Sequence, residues 1–239
     1  MLIGMRNGMV SDSKLTAKSY VQDGLVAIWD GIENAGWGER NTDLKFWPDL
    51  VSGRRFMPWQ NSKTYFGWEA DRPWAAARME CNNFTIMASN GYSIDFICDF
   101  DSSRTTDVTY GIFAYATSGI TYSWIRFLTG RVPQQTNTWG ANSNYNTFLR
   151  RNCVGLKHCA VIYRPENGVI LYIGQNSLAI PEAIIPNASN ATIYIGNGSA
   201  NNIFRNYPRI GIYSRALTAE EIYYNYAVDK ARFNLPQVA

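Results

Sequence analysis

The run Tyr92-Ser93-Ile94-Asp95-Phe96-Ile97-Cys98-Asp99-Phe100 alternates apolar and polar side chains. Ile94, Phe96, Cys98 and Phe100 point one way; Ser93, Asp95 and Asp99 point the other, onto a solvated face. That is the period of a half-buried β-strand. Further strand patterns follow at Tyr110 to Tyr115, Ser123 to Leu128, Leu156 to Tyr163, Val169 to Ile173, Thr192 to Ile195 and Arg209 to Tyr213. Thr117-Ser118-Gly119 parts the first two of these. Arg164-Pro165-Glu166-Asn167-Gly168 joins the next two as a hairpin, its Asn-Gly supplying the positive φ that tight turns need. Recurring strands with no helical pattern between them imply an all-β sandwich or barrel.

One helix is legible near the end. Thr218-Ala219-Glu220-Glu221 forms a capping box, and Leu217 with Ile222 makes the matching hydrophobic staple. Ile222, Tyr223 and Tyr226 are expected to share the face that lies on the sheet. Residues 1–19 are polar and aperiodic and read as an N-terminal arm; 20–239 read as one domain. Residues 21–80 hold six of the eight Trp among many loop signals, such as Asp30-Gly31, Trp47-Pro48 and Ser52-Gly53. They are expected to be irregular β structure with long loops. With 239 residues, 46% of them hydrophobic, the chain can build a sizeable core. Wholesale disorder is thereby excluded.

Charge excludes another class. The net charge is +3, and no basic block is longer than Arg54-Arg55 or Arg150-Arg151. A nucleic-acid surface needs clustered basic charge to track phosphates. No apolar run approaches the roughly 18 residues of a membrane span. Arg6 and Asn7 interrupt the first residues, so no signal-peptide core is visible. Either the protein is not exported by that route or a leader has been lost. Cys81, Cys98, Cys153 and Cys159 contain no Cys-x-x-Cys pair, which disfavours zinc and thioredoxin-type chemistry. Free buried thiols are expected. A Cys153–Cys159 bridge would need a bend, because six residues of straight strand span about 20 Å.

Four strings in the last third carry a resemblance: His158-Cys159-Ala160-Val161-Ile162-Tyr163, Leu171-Tyr172-Ile173, Ile195-Gly196-Asn197, and Ile212-Tyr213-Ser214-Arg215-Ala216-Leu217-Thr218-Ala219-Glu220-Glu221-Ile222. In order and spacing they resemble the laminin-G-like branch of the concanavalin A-like lectin/glucanase superfamily. Gly24 to Asp30 looks like that family's first strand, and Asp49-Leu50-Val51-Ser52-Gly53 like the turn after it. The likeness spans about residues 21–233. The opening from Tyr20 to Gly38 resembles uncharacterised proteins of gut-bacterial prophages. The resemblance implies a jelly-roll β-sandwich of two antiparallel sheets with a short C-terminal helix. It also implies a calcium-binding Asp before the last strand, but Pro208 stands there. No metal and no cofactor are therefore expected, since a hard cation needs several oxygen ligands.

Hydrolytic glucanases of that superfamily carry Glu-x-Asp-x-x-Glu or a one-residue-shorter form. No such string occurs here. Glycoside hydrolysis needs two carboxylates about 5–5.5 or 6.5–9.5 Å apart. Asp95 and Asp99 on one strand would stand about 13 Å apart along the backbone, and Asp99 with Asp101 suits only a strand that continues. His158 is the sole histidine, and a structural, hydrogen-bonded role is expected for it. Arg215 reads as a side chain that hydrogen-bonds carbonyls near the helix start and pins helix to sheet. The Asn-x-Ser/Thr strings at Asn83, Asn187, Asn190 and Asn197 read as turn chemistry.

The binding candidate is the segment Thr129 to Arg150. It holds Arg131, Gln134, Gln135, Asn137, Trp139, Asn142, Asn144 and Tyr145. Sugars take flat apolar faces against their C–H surfaces and amides against their hydroxyls. Trp139 and Tyr145 would stack, with Asn142, Asn144 and Arg131 as polar partners. The competing reading is an ordinary polar loop whose Trp139 folds back onto the sandwich. The Trp37, Trp59 and Trp68 loops are a second candidate. The expected function is a non-enzymatic glycan- or surface-binding module, and the prophage resemblance implies that it is virion-associated. The alternatives are a glycoside hydrolase or lyase with an unrecognised site, and a structural protein–protein module.

Overall fold

The computed structural model describes residues 15–33, 46–58, 79–86, 88–100, 109–117, 120–128, 152, 155–180, 188–195 and 204–236. Among them, twelve strands form two antiparallel sheets of six. The first sheet runs β1 (Leu25–Asp30), β12 (Phe204–Tyr213), β5 (Tyr92–Phe100), β8 (Gly155–Arg164), β9 (Gly168–Ile173) and β10 (Asn176–Ile180). The second runs β2 (Trp47–Pro48), β3 (Arg55–Pro58), β4 (Met79–Ile86), β11 (Ala188–Ile195), β6 (Thr109–Thr117) and β7 (Ile120–Leu128). The expected β-sandwich is thus present. The first strand pairs with the last, Ile28 opposite Gly211 and Asp30 opposite Arg209.

Turn chemistry sets the connections. The β8–β9 hairpin turns on Gly168 at φ 71°, as Asn-Gly predicts. The next hairpin, to β10, has a two-residue loop, Gly174-Gln175, closed by the pair Ile173–Asn176. Gly174 takes φ 59° there, the position where tight hairpins favour glycine. Asp49 builds the turn after β2. Its carboxylate accepts from the amides of Val51, Ser52 and Arg54 at 2.8, 2.8 and 2.6 Å. Pro208 sits where β12 slips register against β5, between Asn206 and Arg209. A bulge is where an interior strand tolerates a residue without an N–H.

The core between the sheets follows the alternation. Ile94, Phe96 and Cys98 are buried. Trp29 crosses from the first sheet to Phe56 and Phe84 of the second, with ring centroids 4.2 and 6.1 Å away. Its Nε1–H donates to the Trp47 carbonyl at 2.9 Å. Cys81, Cys98 and Cys159 are free and buried. The imagined Cys153–Cys159 bridge is therefore excluded, since Cys159 is a free thiol at the core. Burial pushes the Cys81 thiol up to about 12.

The outer face of the first sheet is not solvated, contrary to expectation. A helix, α1 (Ala219–Phe233), lies across it, and Ser93 and Asp95 beneath are fully buried. Period 2 shows that a strand has two unlike faces; it does not show what covers the polar one. The buried positions of α1 are Ile222, Asn225, Val228, Asp229 and Phe233. Tyr223, expected on that face, is 46% exposed. It is the immediate neighbour of Ile222, about 100° around the helix, so the two cannot share the contact line. The segment before β1 also docks here: Ala17 and Tyr20 pack with Ile28 and Val228.

The capping box forms as expected. Thr218 Oγ1 accepts from the Glu221 amide at 3.2 Å, and Glu221 Oε2 accepts from the Thr218 amide at 2.8 Å. Arg215 pins this start by grasping carboxylates as well as a carbonyl. It forks onto Glu221 at 2.8 and 2.6 Å, reaches Asp23 at 2.8 Å and donates to the Ala216 carbonyl at 3.2 Å. That fork holds the Glu221 carboxyl below its ordinary value. Ser93 ties the same corner to the sheet, donating to the Arg215 carbonyl and accepting from the Leu217 amide at 2.7 and 2.8 Å. Thr218→Ala is expected to lower stability by about 1 kcal/mol through the lost cap. A urea midpoint unchanged from wild type would show that Arg215 alone holds this helix end.

Candidate functional site

The described residues bring one cluster of chemically capable side chains together, in the layer between the first sheet and α1. Asp95 comes from β5, His158 from β8, Arg209 from β12, and Asn225 and Asp229 from α1. All five are fully buried. Alternation puts the three strand residues on the helix side, opposite Phe96, Cys159 and Ile210. On the helix, Asn225 and Asp229 stand four apart on the buried stripe.

Arg209 is the centre. Its Nη2 lies 2.6 Å from both Asp95 Oδ1 and Asp229 Oδ2. Its Nε donates to Asp229 Oδ1 at 2.8 Å, and its Nη1 to the Asp95 carbonyl at 3.2 Å. Gly211 leaves the room: a Cβ there would stand 3.1 Å from Arg209 Nη1. His158 bridges the same two acids, with Nε2 3.2 Å from Asp95 and Nδ1 3.0 Å from Asp229. Neither ring contact is a well-directed hydrogen bond. Asn225 donates to Asp95 Oδ2 and to the Tyr213 hydroxyl.

Tyr20 closes the layer from the N-terminal side. Its ring lies under the Arg209 guanidinium, 4.4 Å from the centroid, and its hydroxyl donates to Asp229 at 2.7 Å. Arg232 extends the network to Asp30 and Glu33. Glu33 in turn accepts from the Ala17 amide. One connected set of polar and charged groups thus fastens residues 17–20, α1 and four strands to one another.

The electrostatics follow the geometry. Burial alone would raise the Asp229 carboxyl, but Arg209 and His158 outweigh it, and the group sits below its ordinary value. Burial likewise opposes the charge on Arg209, yet Asp229 and Asp95 hold it firmly protonated. The Tyr20 hydroxyl is raised by burial and by Asp229. For Asp229 the folded value is depressed. Its stabilisation is therefore complete above the unfolded value near 3.9 and is lost as pH falls through the folded one. The urea midpoint is expected to hold from neutral pH down to about pH 4 and to drop below it. A midpoint unchanged well below that point would contradict the ion-paired state of Asp229.

Chemically this cluster is closed. Donor atoms of Asp95, His158 and Asp229 lie within 4.8 Å of one another, a spacing that could suit a metal ion. The guanidinium already occupies the space between the carboxylates, so a metal would have to expel it; the residues do not fit a metal centre. The two carboxylates are also close enough to suggest a glycosidase pair, but both are sealed from solvent and bridged by a cation. His158 is fully buried with its two nitrogens 3.2 and 3.0 Å from the acids, away from any substrate. The ring is fully buried, as a structural histidine would be, but it lacks the hydrogen bonds expected from the sequence.

The sequence missed the cluster because its members are spread from residue 95 to 229. One signal was present: Asn225 and Asp229 fall at i+3 and i+7 from Ile222, on the stripe that should be apolar. Polar residues there require polar partners beneath. Asp95, assigned to a solvated face, is corrected by this pairing. The residues proposed for ligand contact, Arg131, Trp139, Asn142, Asn144 and Tyr145, lie outside the described residues. So do Trp37, Trp59, Trp68, Asp101, Asn187 and Asn197.

No family model matches the chain, and no curated protein sequence matches it. Solved structures do. The botulinum neurotoxin serotype D binding domain superposes with a TM-score of 0.54 at 16% identity, over 86% of this chain and 52% of that one. The serotype D ligand binding domain in complex with N-acetylneuraminic acid gives 0.51 at 12% identity, over 86% and 51%. Trypanosoma rangeli sialidase with sialic acid gives 0.49 at 13%, over 87% and 33%. The chain thus spans about half of the neurotoxin domains and a third of the sialidase. The two neurotoxin matches show that the chain shares their fold.

Proposed function

We propose that the chain is a non-catalytic carbohydrate- or surface-binding module. In this reading the ligand site lies in residues 129–150, with Trp139 or Tyr145 as the stacking face, Asn142 and Asn144 as hydroxyl partners and Arg131 beside them. The observation that carries the reading is the fold itself, shared with a neurotoxin domain solved with N-acetylneuraminic acid bound. Fold alone does not carry function between such distant chains, so two further points matter. Over β1, β12, β5 and β8 the outer face of the first sheet is occupied by α1 and residues 17–20, which leaves a ligand the loops and the second sheet. The residues most able to do acid–base chemistry among those described, Asp95, His158 and Asp229, are consumed in internal ion pairs. The likeness of the opening to prophage proteins supports display of the module on a phage particle.

A glycan array probed with the full chain tests this, followed by titration of each hit. Binding is expected to be weak, because loop ordering and hydroxyl desolvation oppose it. Trp139→Ala is expected to weaken it roughly tenfold. Hits that Trp139→Ala and Tyr145→Ala leave unchanged would move the site elsewhere. A blank array, sialylated glycans included, would leave the structural-module reading in its place.

A further inference from the structure

We propose that the turn between β2 and β3 is a rigid apolar tip that docks the protein on an anionic phospholipid surface. Leu50 and Val51 form the tip, and their side chains are 43% and 50% exposed. Met57, on β3 beyond the turn, is 41% exposed. Single scattered apolar residues on a surface need no explanation, but neighbouring ones mark contact surfaces.

The turn holds these two side chains out on a braced backbone. The buried Asp49 carboxylate accepts from the amides of Val51, Ser52 and Arg54 and from the Ser52 hydroxyl. The Leu50 amide donates to the Ile28 carbonyl of β1 at 2.9 Å. Arg54 Nη1 donates to the Ser52 hydroxyl at 2.7 Å, and its guanidinium lies 4.7 Å from the centre of the Phe84 ring. Gly53 makes the bend at φ 71°, where a Cβ would meet nothing within 4 Å. Two consequences follow from this bracing. Little conformational freedom is left to lose on docking. The amides of Leu50, Val51, Ser52 and Arg54 also carry their own acceptors, so the tip enters a weakly polar layer without stranding those donors.

Charge selects the occupant. The acidic and basic residues of 46–58 are Asp49, Arg54 and Arg55. Asp49 and Arg54 are turned into the fold, while Arg55 is exposed, with its guanidinium 4.1 Å from the centre of the Phe46 ring. Glu80 stands opposite Met57, farther along β3 than Arg55. An apolar tip with a cation beside it complements anionic headgroups over an acyl boundary. A protein partner would also be read through free backbone donors, and this turn has used most of its own. A phospholipid surface requires only apolar contact and charge. Among the described residues no helix is long and apolar enough to cross a membrane, so the contact proposed is an interfacial one.

Co-sedimentation of the full chain with vesicles tests this, using phosphatidylcholine alone and phosphatidylcholine with phosphatidylserine. The vesicles carry no glycan, so the result is independent of the site proposed in residues 129–150. Binding is expected on the phosphatidylserine vesicles at low ionic strength, weaker on phosphatidylcholine alone, and released by salt as screening shortens. Leu50→Asn with Val51→Asn keeps every charge and is expected to weaken binding about tenfold or more. Arg55→Gln is expected to weaken it about fivefold. All three positions are exposed, so the urea midpoints are expected to match wild type. No binding to phosphatidylserine vesicles at low ionic strength would overturn the proposal. So would binding that the double variant leaves unchanged, since the net charge of +3 would then account for it. Sedimentation equilibrium without lipid supplies the remaining outcome: a dimer that the double variant dissociates would make the tip a self-association surface and overturn the lipid assignment. Should the double variant not fold, Val51→Ser, at the more exposed position, gives the same reading.

Discussion

Asp229→Ala is expected to destabilise the protein by about 3–5 kcal/mol, the range for removing one partner of a buried ion pair. The residue is fully buried, and its carboxylate takes two bonds from Arg209 and one from the Tyr20 hydroxyl. Without it, Arg209 keeps only Asp95, and Tyr20 and His158 each lose a partner. Most of the loss arises from leaving a buried guanidinium short of charge, rather than from the net worth of the pair. That distinction is measurable. In Asp229→Ala combined with Arg209→Met the stranded cation is gone, so the double variant is expected to be more stable than Asp229→Ala alone. Urea unfolding followed by far-UV circular dichroism, with the two single variants and the double, gives the coupling directly. A loss under about 1 kcal/mol for Asp229→Ala would be the behaviour of a surface pair, and would mean that water reaches the layer.

This layer also marks where the sequence stops being readable. The strands were legible because β5, β8 and β9 show their periods locally, and the start of α1 because its cap is written in four consecutive residues. Strands β2, β3, β4 and β10 were not. β2 has two residues and β3 four, too short for a period. β4 bends at Asn83, whose φ is 64°, and Met79–Ile86 has a register slip against β11, which blurs its alternation. β10 is an edge strand whose Asn176, Ser177 and Ala179 are exposed, so it carries little apolar signal. The covering of the first sheet was hidden for a different reason. Ser93 and Asp95 look the same in sequence whether water or Asn225 lies above them. Only the polar residues on the helix stripe pointed to the match, and they acquire meaning once helix and strand are considered together.

Trp29→Ala is expected to cost about 3–5 kcal/mol by the other route, a cavity in the core between the sheets. Trp29 is fully buried and joins the two sheets. From β1 it packs on Phe56 of β3 and Phe84 of β4. Its indole N–H also anchors the carbonyl of Trp47 in the two-residue strand β2. Truncation removes the ring contacts and this hydrogen bond. Trp29→Phe separates the two contributions. It keeps much of the aromatic volume and loses the N–H, so a smaller loss of about 1–2 kcal/mol is expected. Seven other tryptophans remain, so fluorescence would not report this site cleanly; far-UV circular dichroism in urea does. If Trp29→Phe proves as damaging as Trp29→Ala, the bond to Trp47 governs this corner and ring packing is secondary. If both variants lose less than about 1 kcal/mol, β2 and β3 are not held to the first sheet through Trp29, and the cross-sheet contact described here is not what joins them.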